Sequence, residues 1–157
     1  TKFTKANELD KNPITNNNYG AMLRRDGKVD EAAALFASST AAGEEVNYNL
    51  SLVNIKKGEY DQAVTNAGSY NTFNKALALT LKKDYAAAIS TLDKSDDKAS
   101  ALGDYLRAII SARKGSDADV FTNLKNALTK DSSLKDKAKN DREFVKYFEN
   151  AAFTALF

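Results

Sequence analysis

The sequence contains no cysteine and no histidine. It can therefore form neither a disulfide nor a zinc site built from these two residues. Nucleophile systems of the Ser-His-Asp or Cys-His kind are excluded for the same reason. The seven glycines are dispersed and form no phosphate-binding loop, and no calcium-loop spacing surrounds Asp93, Asp96 and Asp97. We therefore expect a protein that is not an enzyme and that needs neither a metal nor a cofactor.

Charge of one sign and long apolar runs are also scarce. The 23 basic and 21 acidic residues leave a net charge of +2, whereas a nucleic-acid surface usually shows a strong basic excess. No apolar run approaches the roughly 20 residues that span a bilayer. The composition, 43% hydrophobic and 28% charged, is typical of a folded globular chain. The chain begins at Thr1 without an initiator methionine, so we expect a fragment or a processed chain.

Four similar segments recur along the chain. They are "RRDGKVDEAA" from Arg24, "IKKGEYDQAV" from Ile55, "LKKDYAAAI" from Leu81 and "ARKGSDADVF" from Ala112. A helical pattern precedes and follows each of them, so each predicts a helix, a tight turn and a second helix. Aligned on the small residue after the turn, consecutive units are 31, 25 and 32 residues apart, which is the signature of a repeat architecture with a short spacing between the second and third units. The four aligned positions are Ala32, Ala63, Ala88 and Val120.

The turns have a physical cause in their residue types. Gly27, Gly58 and Gly115 stand where a first helix should end, and glycine adopts the left-handed capping conformation without strain. Basic residues precede the turns and acidic residues follow them, as the helix dipole favours. Lys83 replaces the glycine in the third unit, so we predict that this turn is either the most strained or differently shaped. The small aligned residue should let the two helices approach closely, with a large side chain such as Phe36 one turn later.

These units resemble the tetratricopeptide repeat family. The second unit matches best, with "YNL" from Tyr48 and "GEYDQAV" from Gly58; the first has "NYG" from Asn18 and "GKVDEAA". The third has "FN" at Phe73 and Asn74, and the fourth has Tyr105 and Gly115. The resemblance covers nearly the whole chain, although the third unit lacks the glycine and the fourth lacks the signature alanine.

The resemblance implies an all-α fold, a right-handed superhelix of antiparallel helix pairs closed by a C-terminal capping helix. It predicts one domain over residues 1–157, with a partial repeat at 1–11 and capping helices at 132–157. The helix-pair repeats are placed at residues 13–42, 44–69, 70–95 and 98–131. Asn140 and Glu143 form the pattern of a capping box, which predicts an amphipathic helix over the last residues. We also expect the Phe3–Asp10 helix to leave apolar surface bare, which favours weak self-association through the N-terminal edge.

In such arrays the first helices line a concave face, which implies a binding site for a protein or peptide. The implied contacts are Tyr48, Asn49, Phe73, Asn74, Tyr105 and Arg24. The aromatic residues would anchor an extended peptide or a partner helix; alternatively, they pack between neighbouring helices or against the C-terminal helix. The recurring asparagines, Asn18 among them, would bind a peptide backbone or join adjacent helices. A set of side chains that clamps a carboxylate would need more cations than Arg24 and the nearby Arg107 and Arg113 supply.

The expected function is therefore a non-catalytic scaffold for protein–protein interaction. Two alternatives remain open: a structural spacer inside a larger envelope protein, and a non-catalytic binder of a small ligand such as a peptidoglycan fragment. The asparagine- and lysine-rich composition without cysteine is similar to that of bacterial cell-envelope proteins. It favours the periplasmic side of the envelope, with the cytoplasm as the alternative.

Overall fold

A computed structural model describes residues 12–39 and 43–157, together with Lys2 and Lys5. Every element within these residues is helical, and none of them forms a strand. The predicted Phe3–Asp10 helix and the end of the first repeat at residue 42 lie outside the described residues. The chain divides into two compact units, Thr1–Asp84 and Tyr85–Phe157. One continuous domain with the repeat bounds given above stays a prediction.

The first unit contains five described helices, of which consecutive members pack against each other. They are α1 (Pro13–Arg25), α2 (Val29–Ala37), α3 (Glu44–Lys57), α4 (Tyr60–Ala67) and α5 (Phe73–Leu81). The first helices of the pairs also contact one another, α1 with α3 and α3 with α5. Helix α4 ends at Gly68 after only eight residues, as the short spacing between the second and third units predicts.

The second unit has a longer helix pair at its centre. Its elements are α6 (Tyr85–Asp93), a 3-10 helix (Asp96–Ala99), α7 (Ala101–Lys114), α8 (Asp117–Lys130), α9 (Leu134–Asn140), a second 3-10 helix (Arg142–Tyr147) and α10 (Ala151–Thr154). Helices α7 and α8 pack along their lengths, and the second 3-10 helix packs against α7. Their common core contains Val120, Leu124, Phe144, Tyr147 and Phe153.

All four turns adopt one hydrogen-bonded geometry. In each, the residue after the left-handed position donates its N–H to the carbonyl five residues earlier at 2.9 Å: Lys28 to Leu23, Glu59 to Asn54, Asp84 to Leu79 and Ser116 to Ser111. This is the Schellman motif, which satisfies carbonyls that the helix end leaves free. Gly27, Gly58 and Gly115 have positive φ angles, and Lys83 is the one non-glycine residue with positive φ in the described part of the chain. The third turn is therefore not differently shaped, and its left-handed lysine agrees with the prediction that it is the most strained of the four.

The small residues that follow the four turns are buried. Ala32, Ala63, Ala88 and Val120 are completely buried, and so are Phe36, Leu92 and Leu124 one turn later. The Ser51 hydroxyl on α3 donates to the Ala63 carbonyl at 3.0 Å. Gly20 of α1 permits a second close approach, because a Cβ there would lie 2.7 Å from the Phe36 ring. In the first, second and fourth helix pairs, the repeat pattern in the sequence therefore identified buried residues of two helices that pack against each other.

The C-terminal segment differs from the prediction of one amphipathic helix. Asn140 ends α9 instead of opening a new helix. Asp141 and Asn150 have extended backbones, and their side chains accept from the N–H groups of Glu143 and Ala152. Each acts as an N-cap, so the segment is divided into the 3-10 helix and α10. One side of the predicted amphipathic helix would consist of Phe144, Tyr147, Phe148, Ala151 and Ala152. In the structure Phe144 and Tyr147 are buried and Phe148 is partly buried, but Ala151 and Ala152 are exposed.

We predict that Ala63→Leu lowers the free energy of unfolding by about 1–3 kcal/mol, because the added carbons would overpack the contact between α3 and α4. Gln62→Leu is the matched control, since Gln62 is exposed on the same helix. Chemical denaturation followed by circular dichroism measures both. Equal stabilities for the two variants would contradict the assigned register.

We predict that Lys83→Gly raises the free energy of unfolding by about 1 kcal/mol, because the left-handed conformation is strained for a residue with a side chain. Lys125→Gly, on the exposed face of α8, should lower the free energy of unfolding by about the same amount, since glycine is unfavourable inside a helix. Thermal denaturation compares the two. If Lys83→Gly lowered the stability instead, the lysine side chain would contribute more free energy to folding than its left-handed conformation costs.

Candidate functional site

The structure divides the six predicted binding residues between the two units. Arg24, Tyr48, Asn49, Phe73 and Asn74 belong to the first unit, and Tyr105 belongs to the second. Tyr48 is the most exposed aromatic residue of the set, with 38% of its surface accessible, and Phe73 is partly buried. The prediction of a partner-binding surface therefore depends mainly on residues of the first unit.

Tyr105 is a core residue and not a surface anchor, which corrects its assignment. Only 2% of it is exposed. Its ring makes an edge-to-face contact with Phe144, with centroids 5.6 Å apart, and its hydroxyl donates to the Asp141 carboxylate at 2.9 Å. Burial, assisted by this hydrogen bond, raises the pKa of Tyr105 well above its usual range, so the hydroxyl remains a neutral donor. The C-terminal segment covers this aromatic ring, which is one of the alternatives that the sequence left open.

The asparagines join neighbouring helices. Asn74 on α5 is 3% exposed and donates to the Tyr48 carbonyl on α3 at 3.3 Å. Asn49 on α3 donates to the side-chain oxygen of Asn17 on α1 at 2.9 Å. These contacts correspond to the structural alternative for the repeated asparagine. They also hold Tyr48 at a defined position between α1 and α5.

Tyr48 lies beside a shallow recess of about 330 Å³, which Asn17, Glu44, Glu45 and Asn49 line with it. Glu44 and Glu45 open α3 and are exposed. Ile14 is 71% exposed on α1, and it lies one turn before Asn17 on the same side of that helix. Apolar surface and two carboxylates thus meet at the N-terminal ends of α1 and α3.

A second recess, of about 530 Å³, lies towards the C-terminal ends of the same two helices. We call it the basic recess; its lining residues are Asn18, Ala21, Met22, Arg24, Arg25 and Lys56. The Nε atom of Arg24 is buried and has no hydrogen-bond acceptor among the described residues. A buried donor without a partner costs about 1–3 kcal/mol relative to a satisfied one. The surface formed by both recesses and Ile14 is named the α1–α3 face below.

The charges of the α1–α3 face form no ion pair with any residue that the structure describes. Elsewhere in the first unit, the Lys57 ammonium lies 3.1 Å from Asp30 and 3.2 Å from Glu59. The hydrogen bond to Asp30 is the main reason why the pKa of Lys57 is raised. In contrast, none of the described residues forms an ion pair with the α1–α3 face charges, which are Arg24, Arg25, Lys56, Glu44 and Glu45.

Arg107 and Arg113 do not belong with these cations, because both already form ion pairs with carboxylates. Arg107 lies 2.7 Å from Asp93 and 3.2 Å from Asp104. Arg113 makes two hydrogen bonds to Glu143, at 2.8 and 2.5 Å. Within the described residues, a clamp combining Arg24 with these two arginines is therefore not available.

Sequence reasoning assigned Arg24 and Tyr48 to a binding surface but missed Ile14, Arg25, Lys56, Glu44 and Glu45. The charged residues carried a signal, since Arg25 and Lys56 precede a turn and the two glutamates open a helix. The helix dipole explains where such charges stand. Whether a charge has a partner depends on the neighbouring helices, and among the described residues these five side chains include no ion pair.

Comparison with family models, with curated proteins and with solved structures finds no match for this chain. Within the described residues, no three acidic side chains come together as metal ligands would. None of the described helices combines the length and apolar character that a bilayer span requires.

We predict that Tyr105→Ala lowers the free energy of unfolding by about 3–5 kcal/mol, since it removes a large buried ring. Tyr48→Ala should change it by about 0.5 kcal/mol at most, as is usual for exposed positions. Urea denaturation of both variants gives the comparison. A larger loss for Tyr48→Ala than for Tyr105→Ala would contradict the assignment of core and surface.

Proposed function

We propose that this chain is a non-catalytic module for protein–protein interaction that binds a partner segment on its α1–α3 face. We include in this proposal a tetratricopeptide-like arrangement of the helix pairs. Repeated Schellman turns and a fully buried small residue after each turn support that arrangement. Contacts between the first helices α1, α3 and α5 support it further, because the first helices of such arrays stack side by side.

The combination of exposed apolar and unpaired charged side chains on two adjacent helices carries the proposal. Ile14 and Tyr48 are large hydrophobic residues that remain exposed, and both stand on the α1–α3 face. Exposed aromatic residues are common anchors at protein interfaces, since they provide a large contact area and lose little conformational entropy. The unpaired charges beside them can form ion pairs with a partner without breaking existing ones.

The main competing function is a structural spacer without a ligand. The burial of Tyr105 and Asn74 agrees with that alternative at two of the six predicted positions. It does not account for the exposed Tyr48 or for the unpaired charges on α1 and α3. A spacer should tolerate changes at Tyr48 without any effect on binding, so one experiment separates the two functions.

A displayed library of random linear peptides, selected against the complete 157-residue chain, tests the proposal. We expect selected peptides to bind Tyr48→Ala more weakly by about 2 kcal/mol or more, the usual effect of removing an interface anchor. Val145→Ala is the control, because Val145 is 63% exposed in the second unit. Isothermal titration calorimetry provides the affinities. Failure to select any peptide, or equal affinities for the unmodified chain and Tyr48→Ala, would favour the spacer.

A further inference from the structure

The α1–α3 face carries opposite charges at its two ends. Glu44 and Glu45 lie at the N-terminal end of α3, and Lys56 lies in its last turn. Arg24 and Arg25 occupy the last turn of α1 and line the basic recess together with Lys56. At about 1.5 Å of rise per residue, Glu45 and Lys56 are about 16 Å apart along the helix. An extended chain covers that distance with about five residues.

The C-terminal end of α1 differs from four other helix ends that carry cations, while the two lysines at the end of α9 lie over the rings of Tyr105 and Phe157. Lys57 at the end of α3 pairs with Asp30 and Glu59, and Lys82 after α5 pairs with Asp61. In the second unit, Arg113 of α7 pairs with Glu143, and Lys130 of α8 pairs with Asp104 at 2.6 Å. Each of these four ends therefore has a carboxylate against a cation, whereas Arg24 and Arg25 have none within the described residues.

A carboxylate from outside the chain would complete the α1 end in the same way. The recess offers two guanidinium groups and one ammonium, and guanidinium groups bind carboxylates with paired hydrogen bonds. The donor at Arg24 Nε has no acceptor in the described part of the chain, and a ligand carboxylate can supply one after a side-chain rotation. Glu44 and Glu45, at the opposite end, would attract a cation instead.

We propose that the segment bound on the α1–α3 face is a short extended peptide with one acidic and one basic end. Its acidic end occupies the basic recess, its basic end lies over Glu44 and Glu45, and an apolar residue between them contacts Tyr48. This inference rests on the proposed function, because it specifies the chemistry of the partner at the same surface. Uniformly acidic or uniformly basic segments match only one end of the face, so they should bind more weakly.

Paramagnetic labelling tests the orientation directly. The probe is the peptide acetyl-Lys-Lys-Ala-Tyr-Ala-Glu-Glu-amide, carrying a spin-labelled cysteine at one end or at the other. The protein has no cysteine of its own, so the label can be attached to the peptide alone. In ¹⁵N correlation spectra of the complete chain, a label at the acidic end should broaden the amides of Gly27 and Lys56. A label at the basic end should broaden those of Glu45 and Val46.

Exchanging the charges of the face should reverse this pattern. The variant carries Glu44→Lys, Glu45→Lys, Arg25→Glu and Lys56→Glu, which leaves the net charge unchanged. The matched control makes the same kind of exchange at four exposed residues of the second unit: Asp119→Lys, Glu149→Lys, Lys114→Glu and Lys125→Glu. The control should keep the original pattern. Peptides with lysine at both ends or glutamate at both ends should bind roughly tenfold more weakly, since about 1.4 kcal/mol of ion pairing is lost.

The inference is overturned if the two label positions give the same broadening, if the charge-exchanged variant keeps the original orientation, or if the peptide fails to bind at millimolar concentration. The proposed function can survive that outcome. Library peptides whose affinity still depends on Tyr48 would show that the α1–α3 face binds a partner of different charge. If the library selection also fails, the proposed function fails with the inference.

Discussion

The close contact between the two helices of a pair is the constraint on which the remaining structure depends. Two helices joined by a turn of a few residues must approach until backbone and side chain touch, as at the hydrogen bond from Ser51 to the Ala63 carbonyl. A small residue on the second helix and a left-handed residue in the turn are both needed for this approach. The fully buried Ala32, Ala63 and Val120 meet the first need, and the Schellman turns meet the second.

This geometry also determines where charges collect. Three of the four short turns bring a basic helix end near an acidic helix start, and several of these charges find a partner inside the chain, as Lys57 does with Asp30 and Glu59. The end of α1 has two arginines that no described carboxylate approaches. The recess beside them is a place where an external anion can complete the arrangement seen at four other helix ends.

Much of the local structure was predictable because it depends on residue types that act over a few positions. Glycine before an acidic helix start predicted three left-handed turns, and the lysine at position 83 predicted the strained one. The C-terminal segment was less predictable. Asp141 and Asn150 cap new helical turns there, and the choice between continuing a helix and interrupting it depends on where Phe144 and Phe153 can be buried.

The sequence by itself determined the helical class, the positions of the turns and the small residues at each helix contact, since turn chemistry and hydrophobic spacing are local properties. Only the tertiary structure decided which of two equivalent aromatic residues is a core residue and which is a surface residue. Tyr48 and Tyr105 occupy matching positions in their repeats, but Phe144 and Asp141 cover Tyr105, whereas Tyr48 stays exposed. Exposure and unpaired charge depend on segments far apart in the chain, so no local pattern encodes them.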